Sequence, residues 1–112
     1  LELRTQFGGD VIAREQLSTT AFDVIINTTP VGMYPNIDQS PLEKFSFDAH
    51  YVVFDCIYNP ESTKLLLDAR AQGAKTISGL TMFIAQGVEQ IRLWSGITVS
   101  PDEWKKILTK KL

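Results

Sequence analysis

The chain has 112 residues, 44% of them hydrophobic and 21% charged, an ordinary globular composition that fits one domain. Eleven Lys and Arg against thirteen Asp and Glu give a formal net charge of -2, which argues against the basic patch of a nucleic-acid footprint. No apolar run approaches the roughly 18 residues of a membrane span and no signal peptide opens the chain; the single Cys56 excludes an internal disulfide and points to a reducing, cytoplasmic setting.

In chain order, Leu1 to Phe7 reads as the tail of a helix, with apolar Leu1, Leu3 and Phe7 before a Gly8-Gly9 stop. Asp10 to Ala13 is a candidate short strand, and Arg14 to Thr20 is polar. Asp23-Val24-Ile25-Ile26-Asn27 is a compact β-branched run, as expected of a strand buried on both faces. Turn residues follow it at Thr28-Thr29-Pro30-Val31-Gly32, and prolines 30, 35 and 41 make most of residues 33–50 a loop.

Tyr51 to Cys56 forms a second predicted strand. Asn59-Pro60 is expected to open a helix that runs through Arg70 and stops at Gly73, with Pro near the start and Gly past the end. Ala74 to Ile77 is a short third strand ended by Gly79. From Leu80 to Trp94 the apolar positions 80, 83, 84, 87, 91 and 94 share one helical face, which makes Trp94, like Met82, a core position. A last helix starts at Ser100-Pro101-Asp102-Glu103, where Ser100 and Glu103 have capping-box spacing and Pro101 takes the first helical position. Trp104, Ile107 and Leu108 form its apolar side, and Lys105, Lys106, Lys110 and Lys111 its solvated one.

Buried strands alternating with helices predict an α/β fold with a mainly parallel sheet and flanking helices. Ligands in such sheets bind beyond the carboxyl ends of the strands, which directs attention to three loops. They begin with Asn27, Thr28 and Thr29, with Asp55, Cys56, Ile57 and Tyr58, and with Ser78, Gly79, Leu80 and Thr81. Each candidate has a plain structural reading beside the functional one. Asn27 and Thr28 either bond their own turn or meet a ligand. Tyr58 either packs its ring under the next helix or offers its hydroxyl to a polar substrate. Gln86 flanks an apolar stripe, where a primary amide needs backbone or ligand partners. Cys56 without a basic neighbour reads as a small hydrophobe, and His50 stands alone. The chain has no GxGxxG, GxxxxGK[ST], CxxC, HExxH or GxSxG, so neither a phosphate loop nor a metal site is predicted.

Three segments resemble the shikimate dehydrogenase family. Residues 27–33, NTTPVGM, are similar to its N-[AT]-T-[SP]-x-G-M stretch. Asp55-Cys56-Ile57-Tyr58-Asn59-Pro60 with Thr63, Leu65 and Leu66 resembles D-x-x-Y-x-P-x-x-T-x-L-L. Residues 79–86, GLTMFIAQ, leading to Trp94-Ser95-Gly96, resemble G-L-x-M-L-[VI]-x-Q and its W-[ST]-G ending. The Pro30, MYPN and Met82-Phe83-Ile84 variants resemble members fused to a dehydroquinate dehydratase.

The resemblance implies the C-terminal portion of a Rossmann-like NADP-binding domain, spanning residues 1–112. The first strands, the glycine-rich loop and the N-terminal catalytic domain, with its Lys/Asp proton-transfer pair, would lie upstream. That missing domain is the implied packing partner. The implied activity is NADP-dependent interconversion of 3-dehydroshikimate and shikimate by hydride transfer, in aromatic amino-acid (chorismate) biosynthesis. Tyr58 and Gln86 match substrate-contacting positions. Cys56 and Gly79 match positions near the nicotinamide end of NADP, and Asn27 and Thr28 fall beside the cofactor. Thr81 departs from a frequent family Gly and would narrow the cofactor's approach. A quinate/shikimate dehydrogenase and a non-catalytic Rossmann-like interaction module are the alternatives.

Overall fold

The computed structural model describes residues 2–110, so Leu1 and Lys111 of the predicted terminal helices lie outside the described residues. The elements are α1 (Glu2–Phe7), a 3-10 turn (Arg14–Thr19), β1 (Val24–Asn27), β2 (Val52–Asp55), α2 (Lys64–Ala71), β3 (Lys75–Ile77), α3 (Gly79–Ser95) and α4 (Pro101–Thr109). The strands pair in the order β1-β2-β3, all parallel, with Val24 opposite Val52 and Val53 opposite Thr76. Parallel neighbours need a crossover, and α2 supplies it between β2 and β3. The result is the predicted Rossmann-like α/β arrangement of a parallel sheet with flanking helices.

The core lies where α2 covers the middle strand. Val53, Leu65, Leu66, Ala69, Phe47 and Ala74 are buried together, and Ile25, Leu42, Phe45 and Tyr51 pack around them. At the amino-terminal end of the strands, Phe22, Phe45, Phe47 and Tyr51 form a ring cluster with centroids 4.9 to 6.5 Å apart. Offset and edge-on rings at such spacings contribute beyond their buried area.

Several sequence expectations are corrected. Asp10 to Ala13 is not a strand: the segment has the apolar pair but no pairing partner among the described residues. The run at 24–27 is not buried on both faces: Val24 and Ile26 share the uncovered face, at 53% and 55% exposed, and Ile25 and Asn27 take the covered one. The second helix begins at Lys64 rather than Asn59-Pro60. Its cap is Thr63, whose hydroxyl accepts from the Leu66 N–H, so residues 59–62 remain bends. Gly79 is the first residue of α3 rather than the stop of β3, which ends at Ile77. Ser100 makes no side-chain cap bond, and α4 starts on Pro101 with Asp102 and Glu103 in its first turn. Met82 and Trp94 are not core, at 45% and 80% exposed. The buried stripe of α3 is confined to Gly79, Leu80 and Ile84 in its first two turns. No described helix is long and apolar enough to cross a membrane, and no described His, Cys, Asp or Glu residues cluster to hold a metal.

Candidate functional site

All three strands point their carboxyl ends the same way, so the loops after Asn27, Asp55 and Ile77 share one edge of the sheet. Asn27 and Asp55 are register partners, and the Cys56 N–H donates to the Asn27 carbonyl at 3.0 Å. The side chains of that pair are buried and engaged. The Asn27 amide donates to Asp55 Oδ1 at 3.1 Å and to the Val31 carbonyl at 3.3 Å. Asn27 Oδ1 accepts from the Thr29 N–H at 3.0 Å and from the Thr29 hydroxyl at 2.7 Å. Asn27 thus shapes its own turn and has no spare group to offer; Thr28 is the exposed residue that the turn presents.

Fully buried Asp55 also accepts from the Ile57 N–H at 3.0 Å through Oδ1 and from the Thr63 hydroxyl at 2.6 Å through Oδ2. The Tyr34 N–H donates to the Asn59 carbonyl at 3.2 Å, which ties the loop after β1 to the loop after β2. Between these loops lies a cleft of about 500 Å³ walled by Thr28, Thr29, Met33, Tyr34, Cys56 and Tyr58. None of its lining residues carries a charge. Cys56 is a free, partly exposed thiol there.

Gly79 is buried against the loop after β2. A Cβ at this position would collide with the carbonyl oxygens of Cys56 and Ile57, so only glycine lets the start of α3 reach that loop. This close approach sets the start of α3 against the backbone of Cys56, while Ile77, Ser78 and Thr81 line a separate pocket with Glu61 and Arg70. Thr81, one turn into α3, is exposed, and its hydroxyl sits 3.3 Å from that of Ser78.

Tyr58 is 41% exposed and stacks on Phe83 of α3, with ring centroids 4.8 Å apart and planes 19° from parallel. Gln86 lies one turn further along the helix and donates from Nε2 to the Phe83 carbonyl at 3.0 Å. Phe83 therefore connects the two: its ring holds Tyr58 and its backbone holds Gln86. Both residues are exposed. Gln86 itself lines a groove between α3 and α4, with Phe83, Gln90, Trp94 and Trp104, and does not line the cleft that Tyr58 walls. Trp104 packs its indole on Gly87, where a Cβ would come within 2.9 Å of Nε1, and that buried N–H has no hydrogen-bond partner.

Two groups that shape this region carry no site assignment in the sequence reading. Phe83 reads there only as one of a stripe of apolar helix positions. Asp55 reads as a strand-end residue and a motif letter with no role attached, because its bonds to Asn27 and Thr63 span 28 and 8 residues.

The family model described as "Shikimate 5'-dehydrogenase C-terminal domain" matches residues 79–106. A shikimate dehydrogenase (NADP(+)) of Methanosarcina mazei is 44% identical over 80% of this chain and 32% of its own length. That of Methanocaldococcus jannaschii is 40% identical over 99% of this chain and 40% of its own length. Among solved structures, the Thermus thermophilus shikimate 5-dehydrogenase in complex with NADP(H) and shikimate superposes with a TM-score of 0.83 at 29% identity, over 99% of this chain and 41% of that one. A Corynebacterium glutamicum quinate dehydrogenase in complex with NAD gives a TM-score of 0.72 at 31% identity, over 80% and 32%. The chain thus spans between a third and two-fifths of the length of these relatives. Three segments, a parallel sheet and these likenesses agree: the chain belongs to the shikimate dehydrogenase family, and its residues 79–106 match the model of that family's C-terminal domain.

Proposed function

We propose that this chain supplies the second-domain half of the active site of an NADP-dependent shikimate dehydrogenase, a cytoplasmic enzyme of aromatic amino-acid biosynthesis that interconverts 3-dehydroshikimate and shikimate. The observation that carries the reading is the uncharged cleft at the carboxyl ends of the strands, with Tyr58 in its wall and stacked on Phe83, whose carbonyl holds Gln86 in the neighbouring groove. Hydride transfer at the ring carbonyl carbon is the chemistry of the nicotinamide cofactor when bound.

The cleft fits one end of that cofactor and not the other. Thr28, Cys56 and the backbone beside Gly79 offer small neutral groups suited to the flat, uncharged nicotinamide end. Phosphates need cationic side chains or a glycine-rich helix start, and no Lys or Arg lines this cleft. Phosphate binding therefore belongs to upstream segments of the domain. Within this chain, Tyr58 would orient a substrate hydroxyl or carboxylate through its O–H, and Gln86 would do so through its amide. Asn27 sets the turn that exposes Thr28 beside the cofactor. The proton donor is assigned to the preceding catalytic domain, which would face Tyr58 and Gln86 across an interdomain cleft.

The test is shikimate oxidation with NADP by the complete polypeptide and, separately, by the 112-residue chain. Turnover is expected only from the complete polypeptide, and turnover by the short chain would sink the division of labour. A second reading, a dehydrogenase acting on quinate with NAD, is favoured by the likeness to the Corynebacterium enzyme. Higher kcat/KM with quinate and NAD than with shikimate and NADP would decide for it.

A further inference from the structure

We infer that Asp55 is a positioning residue that locks the two walls of the cleft into one rigid unit, so that the cofactor-side and substrate-side groups are set together. The inference rests on the dehydrogenase reading of the cleft, and deepens it by naming a residue that touches neither ligand.

Asp55 is fully buried at the last position of β2 and does not line the cleft. A buried carboxylate is costly unless its oxygens are bonded, and here three donors reach it from three separate places. Asn27 Nδ2 comes from the end of β1, the Ile57 N–H from the loop after β2, and the Thr63 hydroxyl from the start of α2. The bond from the Thr63 hydroxyl, at 2.6 Å, is the shortest of the three.

Each partner passes the restraint on. Asn27 holds the backbone and hydroxyl of Thr29, and so fixes the turn that carries Thr28. Ile57 stands between Cys56 and Tyr58, so its anchored N–H fixes the chain from which Tyr58 leans onto Phe83. Thr63 caps α2 through Leu66, which ties the whole arrangement to the buried face of that helix. An apolar residue could fill the same space and would leave all three donors unpaired. A carboxylate accepts from all three at once and needs no donor in return. Pre-set geometry of this kind lowers the ordering that ligand binding requires.

The experiment uses the complete polypeptide with Asp55→Asn, Thr63→Val and Thr63→Ser. Thr63→Val removes one donor with little change of shape, so it tests the idea even where Asp55→Asn folds poorly. Two readouts are taken: amide hydrogen exchange at Thr29, Ile57 and Val53, and steady-state kinetics with shikimate and NADP. In Thr63→Val, exchange at Thr29 and Ile57 is expected to rise about tenfold while Val53 in mid-strand is unchanged, the loss of roughly one hydrogen bond. KM for both shikimate and NADP should rise together by about tenfold, with kcat held within about threefold. Thr63→Ser, which keeps the hydroxyl, should restore the exchange pattern. Adding Asp55→Asn to Tyr58→Ala should raise the shikimate KM less than the single changes predict, because Asp55 acts through Tyr58.

Unchanged exchange at Thr29 and Ile57 overturns the inference whatever the activity. So does a loss of rate in proportion to unfolded protein at constant KM, which is the behaviour of a packing group alone. A wild-type polypeptide without shikimate turnover would instead defeat the dehydrogenase reading, and the exchange rates would still decide the role of Asp55.

Discussion

The two ends of the sheet solve the same problem with different chemistry. At the amino-terminal end, Phe22, Phe45, Phe47 and Tyr51 close the space between loop and strand by ring packing, and the charged groups Asp48 and His50 stay at the surface. At the carboxyl end, the closing groups are polar and buried: Asn27, Asp55 and Thr63. Ring packing is non-directional and tolerant, whereas a hydrogen-bonded carboxylate fixes where each partner must sit. The difference teaches where precision is needed. The apolar end holds the domain together, and the polar end sets the walls of a cleft.

The sharpest way to break the contrast is Phe47→Ala at the apolar end. It should cost about 3 to 5 kcal/mol of stability in the complete polypeptide, read by denaturant unfolding, while KM for shikimate and NADP stays constant. Gly79→Ala acts at the other end, where the added methyl meets the carbonyl oxygens of Cys56 and Ile57. Overpacking there should cost about 1 to 3 kcal/mol and, unlike Phe47→Ala, also raise KM, because the loop carrying Cys56 and Tyr58 has to move. Tyr58→Phe removes only a hydroxyl. A rise of about fivefold in the shikimate KM with an unchanged melting temperature is expected, since the Phe83 stack survives.

The smallest effect belongs to His50. Its ring donates from Nδ1 to Asp48, the main reason its pKa is raised above the ordinary histidine value, with Phe22 and Asp23 adding to the effect. Asp48 is lowered in turn, first by the N–H of His50 and then by its ring. A raised histidine stabilises the folded state in full below its unfolded pKa, near 6.5, and loses that contribution as pH rises through the folded value. The lowered Asp48 contributes above the ordinary carboxylate range and loses its share as pH falls through its folded value. Melting temperature should therefore decline slightly from about pH 6 to pH 8. His50→Ala should flatten that slope without touching KM, and a slope that survives the substitution refutes the assignment.

Much of the fold was legible because the rules involved are local. The β-branched runs at 24–27 and 52–55, the stop at Gly73 and Pro101 at a helix start all follow from side-chain shape or backbone freedom. Asp10 to Ala13 misled for the converse reason: a strand exists only where another strand accepts its hydrogen bonds. The start of α2 misled because Pro60 and Thr63 are both good openers, and only the buried carboxylate of Asp55 favours the second. Trp94 misled because periodicity marks a face and leaves open how far along the helix a neighbour extends.

The site divides along the same line. That Thr28, Cys56 and Tyr58 wall one cleft was legible because crevices form at strand ends, a rule that needs only strand assignments. The link through Phe83 could not, since stacking depends on a loop and a helix 25 positions apart meeting in space. Asp55 is the extreme case. Its three partners come from the end of β1, the loop after β2 and a helix cap, and the D-x-x-Y-x-P-x-x-T spacing marks Asp55 and Thr63 without revealing that they bond each other.

The two indoles on α3 and α4 give the molecule a pair of optical reporters with opposite surroundings. Trp94 stands in water, so its emission should lie to the red and be quenched readily by acrylamide. Trp104 has its N–H shut against Gly87, so it should emit to the blue and resist quenching. Gln86, Trp94 and Trp104 line one groove, so a ligand drawn to that amide would register in both components, and the two wavelengths report on its two sides.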